Sequence, residues 1–251
     1  IMSFENPPQK IKPHFGHSFE IARFEEGDSI PVGGESRFST ETNIKITGDF
    51  EKFEKFFGEM EEVAGKYDLN KLKEWLASQG LDVDEKMFAN LLAFTKKFET
   101  RYPTNPQAEE TRRKLYAEKG EGLKLSDIFE ANSPECAEIA ALAQAYLQRE
   151  DIPSSYFSGD VLWDKDQEFS EEHSFIVIRL GDKTYLYDPM NPTDTTQGNF
   201  PSLYTTKANF DEEMAKGEKR FVAAQNILSK KEAFYGANDG TNVYPEKHIA
   251  G

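Results

Sequence analysis

Two apolar runs separated by only two residues constrain this chain more than any other feature in it. His173-Ser174-Phe175-Ile176-Val177-Ile178-Arg179-Leu180 is followed by Gly181-Asp182, and then by Lys183-Thr184-Tyr185-Leu186-Tyr187-Asp188-Pro189. β-Branched and aromatic residues suit strands, and the Gly-Asp pair suits a two-residue hairpin turn. Such a turn pairs Leu180 with Lys183, which places Asp188 opposite Phe175 and His173 opposite Met190. Side chains alternate across a strand. His173 and Asp188 therefore share a face as diagonal neighbours, about 7–8 Å apart at the backbone. A one-residue slip of the register would put them on opposite faces.

The only cysteine, Cys136, follows Ser133-Pro134-Glu135 and leads an Ala-rich stretch ending at Arg149. Ser133 suits a helix N-cap and Pro134 the first helical position, which makes Cys136 the third helical residue. The unpaired N–H groups and partial positive charge of a helix N-terminus favour an anion, so this is where a thiolate nucleophile would sit. Cys136, Ile139, Ala140, Ala143, Tyr146 and Leu147 fall on one helical stripe, so Cys136 faces the core whether it reacts or merely packs. Taken together, Cys136, His173 and Asp188 have the makings of a thiol nucleophile, its general base and the acid that orients the base. The Cys136 backbone N–H is the natural oxyanion donor, and the Asn132 side chain is a second candidate.

These residues also carry a likeness. Cys136-Ala137-Glu138 at a helix start, a His-led strand, and a strand ending Tyr185-Leu186-Tyr187-Asp188-Pro189 resemble the core of the transglutaminase-like superfamily. Asp188-Pro189-Met190-Asn191-Pro192 is similar to the Asp-Pro-Thr-type ending of that group's aspartate strand. Arylamine N-acetyltransferases share this papain-like arrangement more distantly. The likeness covers residues 125–192 and implies a Cys-His-Asp triad working through a thioester, with no cofactor. Transglutaminases carry Trp after the cysteine, where this chain has Ala137. Acetyltransferases carry an Arg-Gly-Gly run, where this chain has Ala131-Asn132-Ser133. The activity expected is a cysteine-dependent amide hydrolase: a protease, an amidase or a glutamine deamidase. Acyl transfer on the same triad and a non-enzymatic interaction module are the alternatives.

Composition removes several other classes. Lys plus Arg number 30 against 45 Asp plus Glu, a net charge of −15. Phosphate backbones and anionic lipid repel such a chain, so neither nucleic acid nor a membrane is an expected partner. No apolar run approaches a membrane span. One cysteine excludes an internal disulfide, and with four histidines it leaves little for a metal site. Residues 1–12 are polar, with no visible signal peptide, which leaves a soluble cytoplasmic or an exported protein both open. The expected partner is a peptide or protein substrate. The acidic stretch 164–172, with Glu171 and Glu172 directly ahead of His173, predicts a lip that favours cationic or amine-bearing substrates.

The fold class expected is α+β, with the cysteine helix packed on an antiparallel sheet that carries His173 and Asp188, and an added helical block. Residues 1–48 read as an extended or β segment, with strands over 19–24 and 37–47. Residues 49–131 read as the helical block, with stripes over 50–63 and 69–79, an Asp84-capped helix, and a charged, largely exposed helix over 106–119. That block suits a structural layer, a substrate-binding lobe or a pro-segment. Residues 132–251 read as the catalytic core. Its later part holds a polar loop over 193–198, a short helix over 209–216, a strand over 219–228 and fifteen loosely ordered closing residues. Gly16-His17-Ser18-Phe19 echoes His173-Ser174-Phe175 without any further period, and reads as coincidence.

Overall fold

The computed structural model describes residues 10–31, 45–239 and 248–250. Its centre is an antiparallel barrel. The strands β5 (Ser154–Leu162), β6 (Glu171–Leu180), β7 (Lys183–Thr195), β8 (Gly198–Thr206), β9 (Arg220–Asn226) and β10 (Glu232–Ala237) run in the order β5-β10-β9-β8-β7-β6, and β6 returns to pair with β5. Closure removes the open sheet edges that a flat sheet would leave. Before the barrel come β1 (Ile11–Pro13) and β2 (Phe19–Ile21), and β2 adds to β5 through Phe19↔Ser158 and Ile21↔Tyr156. A separate two-stranded ladder joins β3 (Ser29–Ile30) to β4 (Ile46–Thr47). At the other end of the chain β11 (Ile249–Ala250) runs parallel to β9.

The helices flank the barrel, and Phe210 and Met214 of the last of them pack into its inner cluster. They are α1 (Glu54–Gly65), α2 (Leu69–Ser78), α3 (Glu85–Arg101), α4 (Ala108–Lys119), α5 (Leu125–Glu130), α6 (Cys136–Arg149) and α7 (Phe210–Met214). Alternation along the strands divides the apolar residues in two. Phe157, Phe175, Val177, Leu186, Val222 and Tyr235 belong to the cluster inside the barrel. Tyr156, Ile176, Ile178, Tyr185, Tyr187 and Leu203 belong to a second cluster, together with Phe53, Phe57, Phe94 and Tyr146 of the helical layer. The helical block and the barrel's outer face thus share one core. At the residue level, Trp75 of α2 stacks on Phe200 of β8 at 5.6 Å, and Tyr187 of β7 reaches Thr95 of α3 at 3.4 Å.

Much of the local reading holds. The β6–β7 hairpin has the expected register, from Leu180↔Lys183 to Ile176↔Tyr187. Gly181 has φ +61°, the left-handed backbone that the first position of a type II′ turn requires and that glycine adopts without strain. Asp84 caps α3 by accepting the Met87 N–H at 2.7 Å. Other expectations are corrected. Residues 193–198 are not a loop: β7 runs on to Thr195 and β8 starts at Gly198, a hairpin in which Thr195 Oγ1 donates to the Gly198 carbonyl at 2.8 Å. The helix over 108–119 is largely exposed as expected, with Arg112 and Tyr116 its two buried residues. The strand expected over 37–47 appears only as Ile46–Thr47, and residues 37–44 lie outside the described residues. Of the closing fifteen residues expected to be loose, 240–247 and 251 also lie outside them.

Candidate active site

The β6–β7 ladder stops at Ile176↔Tyr187. Beyond that point β6 continues only against β5, where His173 pairs with Gly159. β7 continues only against β8, with a bulge between Asp188 and Thr193. The barrel wall therefore parts between the two strands at one end. Side chains bridge the gap: the His173 Nε2–H donates to Asp188 Oδ2 at 2.9 Å. The pair is almost wholly shielded, with His173 5% and Asp188 1% exposed.

Asp188 is held on every side. Its Oδ1 accepts the Met190 backbone N–H at 3.1 Å, and its Oδ2 accepts the Asn191 amide at 3.1 Å and the Tyr235 hydroxyl at 3.4 Å. Burial works against the carboxylate charge, yet His173 and these donors outweigh it and keep the Asp188 pKa below its usual value. For His173 burial again opposes the charge. The Asp188 carboxylate overcomes it, helped by a hydrogen bond and charge interaction with Cys136, and the ring is pushed up to about 10. The Trp163 ring stands edge-on to the imidazole at 5.5 Å and walls it on one side.

Cys136 is half-buried and carries no disulfide. Its place in the helix differs from the expectation. Ser133 is not the N-cap: its N–H and hydroxyl both go to the Ile128 carbonyl, so it closes α5 instead of opening α6. Glu135 is the N-cap, in extended backbone, and Cys136 is the first helical residue. The physical reason is Glu138, whose carboxylate accepts the Glu135 N–H at 3.0 Å and sets the helix start there. Cys136 still lies in the first turn, where backbone N–H groups lack intrahelical partners.

The remaining sequence candidates have other duties. Asn132 adopts φ +49°, and its amide donates one hydrogen bond to the Pro103 carbonyl at 2.9 Å, holding the turn after α5. Glu171 accepts from the Trp163 indole at 3.0 Å and the Gln167 amide at 3.1 Å, closing the 163–171 loop on itself. Glu172 lies 3.3 Å from His17, which also contacts Asp160 at 2.9 Å. The expected acidic lip is thus built from carboxylates with internal partners. Trp163, Phe169 and Met190, among the exposed large apolar residues, lie on this loop and just after Asp188.

Sequence reasoning missed Arg112. It is fully buried, and it grips Glu138 with both terminal nitrogens at 3.0 and 3.1 Å. One arginine of an Arg112-Arg113 pair in a charged helix gives no periodic signal. Glu135 has the most unusual surroundings of the acids here: burial pushes its pKa up to about 7, with Arg112 opposing and Glu138 and Glu109 reinforcing. A folded chain that keeps this proton, where an unfolded one releases it near 4.5, gains stability from Glu135 fully below that value and loses it as pH rises through about 7. The difference in Tm between the native protein and Glu135→Gln should accordingly shrink or reverse between about pH 5 and pH 8. A difference that stays constant across that range would show that Glu135 does not titrate this way.

Among the described residues, no group of three or more His, Cys, Asp or Glu side chains could hold a metal ion, and no helix is long and apolar enough to cross a membrane. Comparison with protein-family models, with curated proteins and with solved structures finds no match.

Proposed function

We propose that the chain is a cysteine-dependent amide hydrolase in which Cys136, His173 and Asp188 act as a triad. One observation carries the reading: a buried imidazole is fixed through Nε2 by a carboxylate that itself holds further hydrogen bonds, and the Cys136 thiol is among the groups that raise the pKa of that ring. A purely structural His-Asp pair has no need of that third partner. The likeness to the transglutaminase-like core points the same way.

In this reading the proton of the Cys136 thiol already rests on His173 when substrate arrives, and the sulfur attacks the carbonyl carbon of the substrate amide. The backbone N–H of Cys136 stabilises the oxygen as it gains charge. The imidazolium then protonates the leaving amine as the C–N bond breaks, leaving a thioester on Cys136. Water attacks that thioester, its proton passes to His173, and the acid product departs as the thiol is restored. Asp188 holds the ring orientation throughout and balances its positive charge.

The test has two arms. The first is labelling of the native protein with iodoacetamide near about pH 6, where an ordinary thiol is mostly protonated and slow. Cys136 should react readily, and His173→Ala should slow it strongly. The second is a panel of peptide aminomethylcoumarin amides and a glutamine peptide, read for released amine or ammonia without any acyl donor. Turnover only after adding an acceptor amine would replace hydrolysis by acyl transfer. A thiol that reacts only after denaturation would overturn both.

A further inference from the structure

We propose that Arg112 is a positioning residue for the Cys136 nucleophile, acting through the Ser133 carbonyl and the Glu138 carboxylate. The proposal rests on the hydrolase reading above. Arg112 Nη1 donates to the Ser133 carbonyl at 2.8 Å and to Glu138 Oε2 at 3.1 Å, and Nη2 donates to Glu138 Oε1 at 3.0 Å. Its Nε lies 3.7 Å from Glu135 Oε1, and the guanidinium covers the Tyr116 ring at 5.4 Å. Glu138 in turn accepts the Glu135 N–H at 3.0 Å. One planar cation from α4 therefore fixes residues 133, 135 and 138, on both sides of Cys136.

This arrangement is hard to account for as stabilisation alone. Arg112 and Glu138 are both 0% exposed. Taking two charges out of water largely cancels their attraction, and an apolar pair of similar volume is often as stable. What the fork provides is geometry, since two parallel N–H donors define the plane and direction of the carboxylate they bind. It also provides charge. Glu135 and Glu138 lie on either side of Cys136 in the chain, with carboxyl oxygens 3.7 and 3.0 Å from the guanidinium. Arg112 is the buried cation against them. A displacement of the thiol by about 1 Å is enough to reduce a rate on the order of 10²-fold.

Three variants separate positioning from stability: Arg112→Met, Arg112→Lys, and the double variant Arg112→Met with Glu138→Leu. Each is read for Tm, for the rate of Cys136 alkylation by iodoacetamide at fixed pH, and for kcat and KM on whichever peptide coumarin amide the native protein turns over. Arg112→Met should lower kcat by about 10²-fold with KM little changed, and should slow alkylation. Arg112→Lys keeps the charge without the fork and should recover only part of both rates. The double variant should regain Tm while both rates stay low, because the Glu135 N–H has lost its carboxylate. If the double variant restores rates together with Tm, Arg112 is a structural residue and the proposal is wrong. Unchanged rates in Arg112→Met would overturn it equally, and if that variant does not fold, native rates in Arg112→Lys would do so. Should the native protein hydrolyse no amide while alkylation still depends on Arg112, the hydrolase reading fails and the positioning role stands.

Discussion

Replacing Cys136 with Ala should abolish the proposed turnover, by on the order of 10⁴-fold or more in kcat, and leave the fold in place. The size of the effect follows from the chemistry. A methyl group cannot form the thioester, and what remains is substrate binding beside a polarised imidazole. The fold should survive because the helix is held by other residues. Ala137, Ala140, Ala141 and Leu142 are fully buried around it, while Cys136 itself is only half-buried. Removing one sulfur from such a position leaves a small void at most, well below the loss expected for a core Leu→Ala of about 2–5 kcal/mol. Steady-state rates on the coumarin panel and circular dichroism melting check the two halves separately. A residual rate within tenfold of the native one would mean that the thiol is not the nucleophile.

Asp188→Asn should be the next most damaging change, and for a different reason. The amide oxygen of Asn can still accept the Nε2–H, but its NH₂ group would meet the Met190 N–H or the Tyr235 hydroxyl and Asn191 amide, which now donate to Asp188. Donor would face donor in a buried site. The imidazolium that forms during each half-reaction would lose its balancing charge. The loss expected in kcat is about 10³–10⁴-fold, by analogy with removing the orienting acid from other triads. Stability should fall as well, by roughly 3–5 kcal/mol in urea denaturation, since one partner of a buried pair is left without its charge. The His173 contribution also falls away with rising pH. The native ring keeps its proton up to about 10 against an ordinary 6.5, so its help to stability is complete below 6.5 and disappears as pH rises through about 10. In Asp188→Asn that dependence should flatten. An Asn variant that keeps both near-native kcat and the native pH dependence of Tm would remove Asp188 from the site.

What the sequence revealed about this site was local. Leu180, Gly181, Asp182 and Lys183 fix a turn by backbone geometry alone, and alternation carries the register outward as far as Ile176 and Tyr187; the pairings expected beyond, Phe175 with Asp188 and His173 with Met190, are absent because β6 turns to β5 and β7 to β8. Asp84 ahead of an apolar stripe marks α3 for the same reason. The parts that escaped depend on residues far apart in the chain. Closure of the barrel by β5 on β6 is a property of strand curvature and pairing order, which no window of residues encodes. The start of α6 was misread because Ser133-Pro134 is a strong local signal, overruled by the Glu138 carboxylate that Arg112 holds from another helix. Arg112 sits among Glu109, Glu110, Arg113 and Lys114, and nothing in that run distinguishes the buried cation from its solvated neighbours. The acidic stretch before His173 was legible as charge, but not as charge already paired with Trp163, Gln167 and His17.

The parting of β6 from β7 has a consequence for how the protein breathes. In a closed barrel, amide hydrogens along every strand exchange with solvent only when a ladder opens. Here the backbone of residues 189–192 has no partner on β6, and its ladder to β8 is interrupted between Asp188 and Thr193. The His173–Asp188 contact is the clasp of that seam, made from side chains where the rest of the wall is stitched by main chain. A clasp of this kind opens without unfolding anything else. Amide exchange at Met190 and Asn191, the two N–H groups between Pro189 and Pro192, should therefore be faster than along Lys183–Tyr187, and should quicken selectively when His173 loses its proton or is replaced. The residues that would perform the chemistry are, on this view, also the ones that decide how often the barrel comes ajar.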